Sequence, residues 1–196
     1  YMAFLGWRPK GDNEVYSISE LISDFSLENI NKAGAKFDPK KLLWVNAQHI
    51  QKTNIKELVK LCSSKNADIE KDVFEKFLEM VRPRLETIEG LKKKFIFLFE
   101  RPGVNKDLVN KMSSKETITA INDFLTELQS NKANEAQSLK ELLSRSVERS
   151  GAKFGKTLGF CRASIVGKME GPDVFEMMEF IGAQETIDRL TLSANI

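Results

Sequence analysis

The residues best suited to chemistry in this sequence are cations, and they gather in two places. Arg82 and Arg84 flank Pro83, and between positions 149 and 168 the charged residues are Arg149, Lys153, Lys156, Arg162 and Lys168, with no acid among them. From 170 to 188 the order reverses, with Glu170, Asp173, Glu176, Glu179, Glu185 and Asp188 and no base. A planar guanidinium fork donates to two acceptors at once, so arginines at a helix end suit a phosphate or the edge of a nucleic-acid base. Clustered lysines suit a phosphate backbone, which responds to the local cation density and not to the charge of the whole chain. The same residues also suit plainer work. Arg82 at a helix C-terminus compensates the helix dipole, and adjacent helices can pair the basic stretch with the acidic one. Lys92, Lys93 and Lys94 read as a solvated helix face.

Nucleophilic and metal chemistry have little to build on. His49 is the one histidine, and Cys62 and Cys161 stand far apart with no CxxC spacing, so both thiols are expected to be buried and reduced. The carboxylates form no sequence-apparent catalytic pair, and no catalytic or metal-binding residue is assigned. The chain has 196 residues with 30 Lys+Arg against 28 Asp+Glu, a net charge of +2, which excludes a histone-like polybasic binder. With 41% hydrophobic and 30% charged residues it is not a disordered tail. FIFLF at 95–99 is the longest strongly apolar stretch and is far too short to span a bilayer, so a soluble, cytoplasmic protein with no membrane partner is expected. The opening Tyr1-Met2-Ala3-Phe4-Leu5-Gly6-Trp7 reads like the last turn of a helix, and the chain is therefore expected to be a fragment of a longer protein.

Helices must position these groups. Residues 19–25 form a short amphipathic segment, and Asp38-Pro39 supplies an N-cap and a first-turn proline for a helix through Ile50. Thr53 or Asn54 caps a segment carrying Ile55, Leu58, Val59 and Cys62. Ile69, Val73, Phe74, Phe77, Leu78 and Val81 repeat at a helical period that stops at Pro83. Further helices are expected at about 86–98, 114–129, 134–149, 155–166, 173–181 and 184–191. Met177, Met178, Phe175 and Phe180 read as core, and Trp7 and Trp44 as packing anchors. The expectation is an all-α chain: a small irregular helical module over 1–52, a first helical bundle over 53–110 and a second over 111–196.

The string KMSSK at 111–115 resembles the KMSKS loop with which class I aminoacyl-tRNA synthetases hold ATP. It sits between helical segments without a Rossmann pattern, and reads as a coincidence in which Ser113 or Ser114 caps a helix. Longer strings are more specific. FLGWRPKGDNEVYSISELISDFSLENINKAGAKFDPKKLLWVNAQHI at 4–50 resembles the segment that follows the catalytic domain in bacterial-type glutamyl-tRNA synthetases. MVRPRLETIEGL at 80–91 resembles the middle motif of that family, and FCRASIVGKMEGPDVFEMMEFIGAQETIDRL at 160–190 its closing motif.

The resemblance implies a stem-contact module followed by two helical bundles forming an anticodon-binding cage, a tRNA(Glu) partner and a monomer. It places the family's anticodon-reading arginines on Arg84, for the third base, and Arg162, for the first. Pro172 and Val174 fall on loop positions that wall the base pocket, and Gly171 departs from a threonine that some members carry. Arg82, Lys153, Lys156 and Lys168 become candidates for the tRNA backbone, and Lys32 and Lys36 for the inner corner of the tRNA. No cofactor is implied for this fragment; ATP and Mg would act in the catalytic domain that precedes it. Two other readings remain open: the anticodon cage of a class I lysyl-tRNA synthetase, and a helical protein-interaction scaffold with no RNA role. Unpaired anticodon bases splay outward, so arginines between apolar walls can read their edges without entering a groove.

Overall fold

The computed structural model describes residues 1–9, 11–32, 34, 36–63, 70–89, 91–131 and 133–196; Ile69 of the expected stripe lies outside them, as do the side chains of Lys92 and Lys93. The chain is all-α. Among the described residues the sole β feature is an isolated antiparallel bridge between Trp7 and Ile30. Two compact units form, Tyr1–Leu91 and Lys92–Ile196.

The first unit opens with α1 (Ala3–Gly6) and α2 (Ile18–Asp24). Ser17 starts α2 through a full capping box: its Oγ accepts from the Glu20 amide at 3.2 Å, and its own amide donates to Glu20 Oε2 at 2.7 Å. Trp7, 5% exposed, anchors this irregular part between Phe4 and Phe25, with ring centroids 6.1 Å away on each side. Helix α3 (Pro39–Lys52) begins as its sequence demands, with Asp38 accepting from the Lys40 amide at 2.9 Å and proline in the first turn. Trp44 on α3 differs from its expected role: it is 40% exposed, and Lys41 Nζ lies 4.1 Å from its ring centroid. Helices α4 (Ile55–Ser63) and α5 (Lys71–Val81) bury Leu58, Val59 and Cys62 against Phe74, Phe77, Leu78 and Val81. Val73 falls at the edge of that stripe and stays exposed. A 3-10 turn over Arg82–Arg84 then ends the helix at Pro83.

The continuous helix expected over 86–98 does not form. In its place are a short α6 (Leu91–Lys94) and a 3-10 turn over Ile96–Leu98. The Phe97 carbonyl accepts from the Arg189 guanidinium at 2.6 Å. Phe95, Phe97 and Leu98 are all buried.

The remaining helices of the second unit are α7 (Lys106–Met112), α8 (Lys115–Asn131), α9 (Ala136–Ser150), α10 (Phe154–Val166), α11 (Val174–Ile181) and α12 (Ala183–Ala194). Helix α10 is apolar nearly all round, as a central helix must be, and Phe160, Cys161 and Ile165 are 0% exposed. Its buried hydroxyls bond back to their own helix: Ser164 Oγ donates to the Phe160 carbonyl at 2.9 Å and Thr157 Oγ1 to the Lys153 carbonyl at 3.2 Å. Gly159 lets α7 approach closely, because a Cβ there would sit 2.8 Å from Met112 Sδ. Met177, Met178 and Phe175 are core, as expected. Among the described residues no helix is long and apolar enough to cross a membrane.

Candidate nucleic-acid interface

Arg162 leaves the central helix where α10 faces the turn leading into α11. Its guanidinium is partly buried, and Nη1 donates to the Pro172 carbonyl at 3.0 Å. A fork held by a backbone carbonyl is oriented before any ligand arrives, which reduces the entropy cost of a bidentate contact. The turn depends on Gly171. Its φ is +148°, a conformation that L-residues rarely adopt, and a Cβ there would lie 3.5 Å from Arg162 Nη1 and 3.8 Å from Phe97 Cζ. Glycine at this position thus reflects backbone geometry, since those two distances are ordinary van der Waals contact. Asp173 starts α11 by accepting from the Phe175 amide at 2.9 Å. Pro172 is buried and Val174 is 0% exposed, so both back the turn from the core side.

The other cations of the 149–168 stretch divide by what they touch. Arg149 pairs with Glu127 and, at 2.9 Å, with Asp123 on α8, and its hydrogen bond draws the Glu127 carboxyl below its ordinary range. Lys156 Nζ donates to the Ser113 carbonyl at 2.8 Å, closing the end of α7. Lys153, at the start of α10, is exposed. Lys168 is exposed too, with Nζ 5.4 Å from the centroid of the Phe97 ring. The acids of the following stretch have their own partners: Glu179 Oε2 accepts from the Ala136 amide at 2.8 Å, while Glu185 and Asp188 take the Arg101 guanidinium at 2.6 and 2.9 Å. KMSSK is a helix junction. Lys111 and Met112 end α7, and Ser114 Oγ caps α8 by accepting from the Thr117 amide at 3.2 Å.

Beneath the turn lies a polar network that the sequence did not suggest. Arg189, 3% exposed, donates to the carbonyls of Phe97 at 2.6 Å and Ile165 at 2.7 Å, and through Nε to Glu185 at 2.7 Å. The Arg101 guanidinium, and then Arg189, hold the Glu185 carboxyl down at about 2. One buried fork therefore ties α12, the last turn of α10 and the 3-10 turn at Ile96–Leu98 together. The i,i+4 spacing of Glu185 and Arg189 was readable, but partners 24 and 92 residues distant were not.

In the first unit, Arg84 is exposed in the 3-10 turn that follows α5, and Arg82 is partly buried with Nη1 donating to the Thr53 carbonyl at 3.4 Å. Helix α3 holds this turn: Gln51 Nε2 donates to the Pro83 carbonyl at 3.3 Å and Asn46 Nδ2 to the Glu86 carbonyl at 2.5 Å. The turn is thus fixed by side chains that leave Arg84 at the surface. Lys32 and Lys36 are exposed in the stretch before Asp38. His49, on α3, borders an open cleft with Lys52, Tyr16 and Glu20.

Comparison with known proteins agrees with a nucleic-acid role. The family model described as an anticodon binding domain matches residues 45–193. A glutamate–tRNA ligase of Azobacteroides pseudotrichonymphae is 33% identical over 97% of this chain and 40% of its own length. One from Porphyromonas gingivalis is 31% identical over 97% of this chain and 39% of its own. The crystal structure of a glutamate–tRNA ligase from Elizabethkingia meningosepticum superposes with a TM-score of 0.85 at 28% identity, over 98% of this chain and 39% of that one. The chain thus spans about 40% of the length of the curated relatives it matches. With about three quarters of its length matched by one family model, the chain belongs to the anticodon-binding domain family.

Proposed function

We propose that this chain reads the anticodon of tRNA(Glu) as the tRNA-binding part of a glutamate–tRNA ligase, the parent enzyme joining glutamate to that tRNA with ATP. The observation that carries this reading is the Arg162 turn, a guanidinium held at 3.0 Å by the Pro172 carbonyl beside a glycine with no side chain. Such a donor can read one edge of an unpaired base, with about 1–3 kcal/mol of discrimination by analogy with duplex readout. Arg84 presents a second guanidinium from a turn fixed by Gln51 and Asn46, and it is assigned the third anticodon base and Arg162 the first. Pro172 and Val174 form the apolar wall behind Arg162.

Lys153 and Lys168 are the better candidates for backbone phosphates, since Lys156 and Arg82 already serve carbonyls of their own units. Lys32 and Lys36 are assigned to the tRNA corner. Glutamate is favoured over lysine because the relatives described above are glutamate–tRNA ligases. In this reading ATP and Mg act in the catalytic part of the parent enzyme, beyond the residues of this chain, and the chain itself contributes no catalytic group. The test is equilibrium binding of the 196-residue chain to a tRNA(Glu) transcript over a range of salt. Affinity should fall steeply with salt and depend on the anticodon. Equal affinity for transcripts with altered anticodons would overturn the reading.

A further inference from the structure

Helix α10 ends at Val166, so the carbonyl of Ile165 in its last turn has no partner within the helix. Arg189 Nη1 supplies the donor at 2.7 Å and, from the same nitrogen, donates to the Phe97 carbonyl at 2.6 Å. Both ends of this link touch the surroundings of Arg162. Arg162 leaves α10 one turn before Ile165, and its Nη1 donates to the Pro172 carbonyl at 3.0 Å. Phe97 meets the same turn: its Cζ lies 3.8 Å from the position of a Cβ on Gly171, and Arg162 Nη1 lies 3.5 Å from that point. One buried nitrogen therefore joins the helix end that carries the reading guanidinium to the segment whose ring lies against the turn. The link is itself oriented. Arg189 Nε donates to Glu185 Oε1 at 2.7 Å, and Arg101 Nη2 holds the second oxygen of that carboxylate at 2.6 Å. At 3% exposure Arg189 is shielded from any RNA on the surface, so its effect on binding must pass through these neighbours.

We propose that Arg189 is a positioning residue for base selection, setting the angle of the Arg162 guanidinium through the end of α10 and the Phe97 ring. The proposal rests on the anticodon-reading function above and adds the buried residue on which its selectivity depends. Selectivity is more sensitive to a tilt than affinity is. A hydrogen bond to a base edge weakens steeply once its angle falls below about 120°, whereas attraction to a phosphate follows charge and distance and survives a small rotation. Donors in such a site have to be held within about 0.5 Å and about 10–20° of the productive geometry. The link needs a fork and not only a charge. Lysine offers one compact ammonium, which cannot hold two carbonyls and the Glu185 carboxylate in the directions that the planar guanidinium fixes.

The test titrates the whole chain and its R189K variant with tRNA(Glu) transcript and with the same transcript changed at the first anticodon base, below the melting onset of each chain as set by calorimetry. R189K should lose preference for the native base by about fivefold or more, while its affinity for the changed transcript stays within about twofold of wild type. Its salt slope should match wild type, because no phosphate contact has been removed. Leu128→Ala separates positioning from general destabilisation: Leu128 is buried on α8 and makes none of these hydrogen bonds, so its truncation should lower the melting temperature and keep the preference. Phe97→Leu, which keeps the backbone link and trims the ring, should reduce the preference too, and it decides the question if R189K does not fold. A folded R189K chain, or in its absence a folded F97L chain, that selects the first base as wild type does would overturn the proposal while leaving the anticodon reading intact. An equal loss of preference in Leu128→Ala would also overturn it. A wild-type chain without preference would overturn both.

Discussion

Replacing Arg189 by methionine removes the buried fork beneath the turn while keeping much of the side-chain volume. The wild-type guanidinium is 3% exposed and serves the Phe97 and Ile165 carbonyls at 2.6 and 2.7 Å and Glu185 at 2.7 Å. In the variant both carbonyls lose their donor, whereas Glu185 keeps Arg101. Each stranded buried acceptor costs about 1–3 kcal/mol. Part of this is offset because the folded state no longer has to desolvate a cation, so the net loss comes to about 2–4 kcal/mol. At about 4–8 °C per kcal/mol for a domain of about 100 residues, the transition that melts α10–α12 should fall by about 10–30 °C. Differential scanning calorimetry at pH 7 measures it. R189K, which restores charge but not the fork, should recover only part of the loss. An R189M chain melting within about 2 °C of wild type would refute the claim that this network holds the Ile96–Leu98 turn.

Other expectations follow from the same geometry. Gly171→Ala should cost about 1–3 kcal/mol in urea denaturation, because the strain comes from a φ of +148° and not from crowding; full stability in Gly171→Thr would contradict this. Glu185 has its carboxyl lowered from 4.5 to about 2 in the folded chain, so its contribution to stability is present above about pH 4.5 and is lost as pH falls toward 2. An acid titration of the second unit should therefore show a component that disappears in E185Q; identical acid profiles would count against the pairing. The Cys161 thiol is pushed up to about 12 by burial and the Cys62 thiol is raised too. Neither should react with Ellman's reagent in the native chain at pH 8, and both should in guanidinium; rapid native labelling of Cys161 would place that residue elsewhere.

What could be read from the sequence followed from local physics. The α5 stripe, the amphipathic segment over 19–25 and the Asp38-Pro39 start all announce themselves within one or two helical turns, and each forms a helix. Helix α7 was missed because it has seven residues and one clear signal, Asn105 Oδ1 accepting from the Leu108 amide at 3.2 Å. In place of the expected 86–98 helix stand a short α6 and a 3-10 turn, whose Phe97 carbonyl bonds a residue 92 positions later. At the site, Arg162 was legible through its resemblance to a family motif. Its link to Pro172 and the positive-φ backbone of Gly171 were not, since such a conformation leaves no periodic trace. Charge segregation was legible as well. Its pairing was not: Arg149 turns to α8, and the acids at 185 and 188 turn to Arg101.

Whether Arg162 reads an anticodon base is decided by one binding comparison. Wild-type chain and R162Q are each titrated with tRNA(Glu) transcript and with the same transcript changed at the first anticodon base. The wild-type chain should prefer the native transcript by about 5- to 150-fold, the equivalent of about 1–3 kcal/mol, and R162Q should bind both alike. A wild-type chain without preference, or an R162Q chain that retains it in full, would show that Arg162 does not read that base.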